Sequence, residues 1–206
     1  MAYSQALIAA KLRRWEKYLM DFNLPSWDEL PAFELYIDQV VALVGQYLNF
    51  LPADEHGNPA ITASTVNNYV RLRLMPPPQK KRYGRLHVVY LIMICTLKQS
   101  MSMAHMQKLI PAGLPEDAVR ALYGRYAATH KRMCRYFVCQ VRENAQDILH
   151  SDSEEPALVD DLLFGTAIVA GFSRLLTEKI LRLPTLEEGA APPAQTSGDG
   201  PAPADS

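Results

Sequence analysis

The sequence predicts a mainly α-helical protein, and three observations carry that expectation. Apolar residues recur at helical spacing along most of the chain. No stretch sustains the period-two alternation of a half-buried strand. Ser or Thr stands before several periodic runs, where a helix cap belongs. With 206 residues and an apolar fraction of 49%, the chain can bury a real core in one or two domains.

Residues 4–22 read as an amphipathic helix with Leu7, Ile8, Leu12, Trp15, Leu19 and Phe22 on one stripe and Lys11, Arg13, Arg14 and Lys17 opposite. Pro25 and Pro31 mark residues 23–31 as a linker. A second helix over 34–48 turns Leu35, Val40, Val41, Val44 and Leu48 inward, and 52–59 form a loop. Thr62 caps a short helix over 62–73, which Pro76, Pro77 and Pro78 stop, since proline lacks an N–H and restricts the residue before it. A basic turn over 79–84 leads into a strongly apolar helix, 85–99, and Ser102 caps a further one over 103–110.

Beyond residue 115 the chain changes character. One helix of up to about nine turns is expected over 116–149, with Leu122, Tyr126, Met133, Phe137 and Val141 as its apolar stripe. A second long helix, 156–183, follows an acidic turn. Around 162–172 it is apolar on nearly every side, so burial against a partner helix or subunit is expected. The tail, 184–206, is built from Pro, Ala, Gly, Ser and acidic residues and is expected to be disordered. The division that follows is an N-terminal helix (1–24), a helical domain (25–115), a helical dimerisation or effector region (116–183) and the tail (184–206).

Charge placement is more informative than the net charge of −1. Residues 56–115 hold no Asp or Glu, yet they carry Arg71, Arg73, Lys80, Lys81, Arg82, Arg85, Lys98 and Lys108, a local charge of +8. Such segregation points to a polyanion, ordinarily a phosphate backbone. A solvated basic face docking an acidic protein is the alternative.

Other classes find less in the sequence. Three cysteines, Cys95, Cys134 and Cys139, make no disulfide framework and fit a reducing cytosol. The N-terminus lacks a signal-peptide pattern and no apolar run reaches membrane-spanning length, so a soluble cytoplasmic protein without membrane contact is expected. No phosphate loop, nucleophile–His set or paired carboxylate site is visible. No enzyme, catalytic residue or cofactor is therefore expected. His130 and Cys134 sit four residues apart on one helix, but Cys139 lies roughly 140° round from Cys134, so no metal site is expected. His87 and His105 fall within helices, where packing or phosphate contact suits them better than catalysis.

The informative element is the helix over 62–73. Ala63, Val66, Tyr69 and Val70 form a buried stripe, and Ser64, Asn67, Asn68 and Arg71 form the opposite face. Asn can pair with adenine edges and Arg with guanine. A helix and loop precede this element and a basic turn follows it, which is the order of a helix-turn-helix whose neighbours hold phosphates.

The segments ITASTVNNYVRLRLMPPP, KKRYGRLHVVYLIMICTLKQ and SMSMAHMQKLI resemble the DNA-binding domain of MerR-type regulators. Tyr69, Arg71, Leu74-Met75-Pro76, Lys81-x-Tyr83 and the Ser102-capped stripe of Met103, Met106 and Leu109 stand where those proteins carry corresponding motifs. The stretch LPSWDELPAFELYIDQVVALVGQYL also resembles a bacterial family of domain-of-unknown-function proteins with such a module. The likeness covers about residues 24–111. It departs at Asn67-Asn68, where Arg and Tyr are common, at Lys81 in place of Arg, and at Gly84 in place of a polar cap.

The resemblance implies a MerR-like winged helix-turn-helix, with Lys80, Lys81 and Arg82 of the wing on phosphates. Tyr83 would pack beneath them or bond a phosphate through its hydroxyl. The expected protein is a sequence-specific double-stranded-DNA-binding transcription regulator with an unknown effector. Since one short recognition helix binds weakly, a homodimer is expected on palindromic half-sites.

Overall fold

The computed structural model describes residues 4–53, 57–150 and 155–183, and these residues are mainly helical, with no strand among them. The helices are α1 (Gln5–Asp21), α2 (Ile37–Tyr47), α3 (Ala63–Arg71), α4 (Arg85–Leu97), α5 (Met103–Leu109), α6 (Glu116–Asn144), α7 (Gln146–His150) and α8 (Pro156–Leu181). The expected tail and most of the acidic turn before α8 lie outside the described residues.

Side-chain caps start three of these helices. The hydroxyls of Ser4, Thr62 and Ser102 accept from the N–H groups of Leu7, Thr65 and His105, satisfying donors that the first helical turn leaves unpaired.

Helix α4 is the post around which the main core is built. Residues 87–95 are all buried, which accounts for a sequence apolar on every side. Val40 and Val44 of α2, Val66 and Tyr69 of α3, Met106 of α5, and Val119 and Tyr123 of α6 belong to the same cluster. The linker joins it through Trp27, which sits in a short 3-10 turn (Trp27–Glu29). Tyr123 donates its hydroxyl to the Pro25 carbonyl at 2.7 Å, tying that linker to α6.

Two smaller clusters fix the remaining helices. Leu19 of α1 meets Cys134 and Val138 of α6. Ala9 of α1 joins Ala145, Ile148 of α7, and Val159 and Leu162 of α8.

The long helix expected over 116–149 is two. It breaks at Ala145, which is fully buried at the junction of α6 and α7, so packing against α1 overrides a sequence with no helix breaker there. The inward face of α6 also differs from the expected stripe. Val119, Tyr123, Cys134 and Val138 are buried, while Met133 and Phe137 are exposed. The face is set by where α1 and α4 lie, and Phe137 instead meets Trp15 of α1 edge-on at the surface.

The largest difference is in α8. Its first turns are held at Leu158, Val159 and Leu162, and near its far end the Leu181 carbonyl accepts from Lys108 Nζ at 3.3 Å. Between these anchors Phe164, Ile168 and Phe172 are exposed rather than buried.

Candidate nucleic-acid interface

The candidate face is built from α3, the turn before α4 and the approach to α2. Helix α3 buries Val66 and Tyr69 and leaves Ser64, Asn67 and Arg71 exposed on its outer side, with Asn68 half-buried. Asn68 Oδ1 accepts from Arg71 Nη2 at 2.6 Å. Asn68 therefore orients the guanidinium, and Ser64, Asn67 and Arg71 are the residues left to face a ligand.

The helix ends in a Schellman motif without glycine. Arg73 adopts φ 55°, Arg73 N–H donates to Val70 O at 3.0 Å and Leu74 N–H to Tyr69 O at 2.9 Å. The buried pair Leu74 and Tyr69 closes the cap, while Arg73 points to solvent with a backbone that costs about 1 kcal/mol in a non-glycine residue. Gln107 of α5 donates to the Leu72 carbonyl at 2.6 Å and satisfies that end.

The segment expected to be a wing is a compact turn. Gln79 and Arg82 form an antiparallel bridge closed by Arg82 N–H donating to Gln79 O at 2.8 Å. The two residues between them, Lys80 and Lys81, have φ 47° and 63°. Two consecutive positive φ values define a type I′ turn, which normally takes Asn-Gly. Holding two lysines there costs of order 1 kcal/mol each and drives both ammonium groups outward at the tip, where they are exposed.

Arg82 stacks on Tyr36, its guanidinium carbon 3.6 Å from the ring centroid. Tyr83 exchanges both backbone hydrogen bonds with Leu35 at 2.8 Å and buries its ring. Of the two roles open to Tyr83, the ring takes the packing one.

His87 braces the wing at both ends. Its Nδ1 accepts from Gly84 N–H at 3.0 Å, and Nε2 lies 3.3 Å from the Pro77 carbonyl, to which its proton is directed. The ring also meets Tyr83 edge-on. Thus the weak cap at Gly84 is supplemented by a side chain three residues on.

Asn67, Lys80, Lys81, Arg82 and Tyr36 line one open cleft of about 850 Å³ between α3 and the wing, with Glu34 as the acidic group beside them. Not all of the +8 reaches this face. Arg85 donates to the Leu30 carbonyl at 2.9 Å and lies over Trp27, while Lys98 donates to the Ala60 carbonyl at 2.7 Å. Both secure loops. Sequence reasoning singled out neither Tyr36, Arg73 nor the brace at His87, whose only signal was its place three residues after Gly84.

Burial, the largest cause, lowers the pKa of both His87 and His130. At His87 the Pro77 carbonyl beside Nε2 acts in the opposite sense without overcoming burial. A histidine with a depressed folded pKa contributes stability that is complete above about pH 6.5, the unfolded value, and is lost as pH falls through the folded value. The urea midpoint is therefore expected to fall between pH 7 and pH 5, above the range in which carboxylates titrate. A midpoint that stays level or rises over this interval would show that neither histidine is coupled to folding as described.

His130 packs beside Cys134 on one face of α6. Its Nδ1 lies 3.6 Å from Cys134 Sγ, Cys139 is exposed, and no group of three metal-ligating side chains occurs among the described residues. Among those residues, no helix is long and apolar enough to cross a membrane.

Comparison with known families bears on the same region. A domain of unknown function, DUF1836, matches residues 25–126. The DUF1836 domain runs from the linker through the wing into the first turns of α6, where Val119 and Tyr123 enter the main core. It therefore takes in the whole candidate face. The match carries no link to MerR-type regulators. No curated protein and no solved structure matches the chain.

Proposed function

We propose that this chain is a sequence-specific double-stranded-DNA-binding protein, a cytoplasmic transcription regulator of MerR-like winged helix-turn-helix type that acts as a dimer. The observation carrying the reading is the cleft between α3 and the wing. There Asn67 of α3, able to pair with a base edge, lies beside a tip of two lysines and a stacked arginine, with Arg71 exposed one turn further along α3. Asn67 and Arg71 would read base edges, and Lys80, Lys81 and Arg82 would hold phosphates. The strained Lys80-Lys81 turn also supports it, because strain retained at an exposed tip marks a site whose side chains matter more than local stability.

Electrophoretic retardation of genomic fragments tests the proposal, with bound sequences recovered and read. Wild-type protein is expected to enrich a common site. Asn67→Ala should alter the preferred bases with a loss of overall affinity below about tenfold, since one base contact contributes about 1–3 kcal/mol of discrimination. Retention of an acidic protein with no retarded DNA would overturn the reading in favour of a protein-docking face.

A further inference from the structure

We infer that α8 pairs antiparallel with α8 of a second copy of this chain, in a register centred on residue 170. This sharpens the dimeric part of the proposed function by naming its surface, and it is independent of nucleic acid.

Five large apolar side chains of α8, Phe164, Ile168, Phe172, Leu175 and Leu176, are 53–67% exposed and lie within about 60° of one line along the helix. Together they offer on the order of 500 Å² of apolar surface, more than half of what each partner buries in a standard interface. A patch of that size on a folded chain is often functional. The helix is anchored at both ends while this stripe stands clear, so no element of the same chain covers it among the described residues.

Charge placement selects the occupant. Asp161 and Lys179 are five helical turns apart and so share one azimuth, bracketing the stripe along its centre line. Ile168 and Phe172 lie within about 20° of that line. Neither Asp161 nor Lys179 has an ion-pair partner among the described residues, whereas Glu178 already takes Arg174 at 3.0 Å and Arg182 at 3.8 Å.

An antiparallel copy sets Asp161 against Lys179 of its partner twice over, Ile168 against Phe172 and Phe164 against Leu176. Gly165 then faces Leu175, and the space over Gly165 is open, with nothing within 4 Å of where a Cβ would stand. A parallel pair would instead place Asp161 on Asp161 and Lys179 on Lys179. Two-fold symmetry with a self-complementary patch is the ordinary form of a homodimer.

Sedimentation of the full chain, without DNA, tests the pairing. The wild type is expected to be dimeric at micromolar concentration, and Phe172→Asp monomeric with unchanged helical circular dichroism. Asp161→Lys and Lys179→Asp should each weaken the dimer about tenfold, and the two together should restore it to within about threefold. A wild type that is monomeric at about 50 μM, or a double reversal as weak as the single ones, would overturn the pairing. So would a monomer that co-sediments with phosphatidylglycerol vesicles, which would assign the stripe to a lipid surface. Loss of DNA binding in a protein that still dimerises leaves the pairing intact.

Discussion

Replacing Lys80 by Asn and Lys81 by Gly is expected to make the protein more stable and a worse DNA binder at once. Asn-Gly is the pair that a type I′ turn accepts most readily, so the native backbone is kept and most of the roughly 2 kcal/mol of left-handed strain is relieved. The same change removes both ammonium groups from the wing tip. If each neutralises one phosphate, duplex affinity falls about tenfold to a hundredfold near 0.15 M salt. The slope of log affinity against log salt becomes shallower by about 1.8 for each copy. Urea unfolding measures the first effect and fluorescence anisotropy at several salt concentrations the second. A double variant that is stabilised and binds DNA as the wild type does would remove the wing from the interface.

His87→Phe produces a different failure. The aromatic ring is retained, but the Gly84 N–H and the Pro77 carbonyl lose their partner inside a half-buried corner. Leaving such groups unsatisfied costs about 1–3 kcal/mol each, so a loss of about 3 kcal/mol in unfolding free energy is expected. No positive charge has been removed, yet the wing loses its brace and DNA affinity should fall with an unchanged salt slope. His87→Gln can offer an acceptor and a donor and should recover part of both. If His87→Phe bound DNA normally while being destabilised, the brace would serve the core alone.

Much of the helical frame was legible in the sequence because its punctuation is local. Ser4, Thr62 and Ser102 cap where their hydroxyls reach the next turn, and the prolines at 76–78 end the run after α3. The apolar run at 87–95 became the central post because only full burial suits it.

What was not legible depends on contacts that local pattern does not encode. Lys80-Lys81 carries no turn signature, and Arg73 stands where a helix terminus favours glycine, so neither positive φ could be read. The break at Ala145 follows from burial against α1 and α8, not from a breaker residue. The stripe on α6 was displaced for a similar reason, since its amphipathicity is shared between two packing partners. Asn68 was grouped with the base-reading residues, but its oxygen is committed to Arg71 three residues on. For α8 the sequence predicts burial against a partner helix or subunit, and no element among the described residues provides it.

The central claim, that the face joining α3 to the wing binds duplex DNA, is tested most directly by titrating wild-type protein into a labelled pool of genomic duplexes from about 50 to 300 mM salt. The proposed function predicts binding at low salt that weakens linearly on logarithmic axes with a slope steeper than about −4, as expected when several of Arg71, Arg73, Lys80, Lys81 and Arg82 release counterions from phosphates. Absence of binding at 50 mM, or an affinity indifferent to salt, would contradict it.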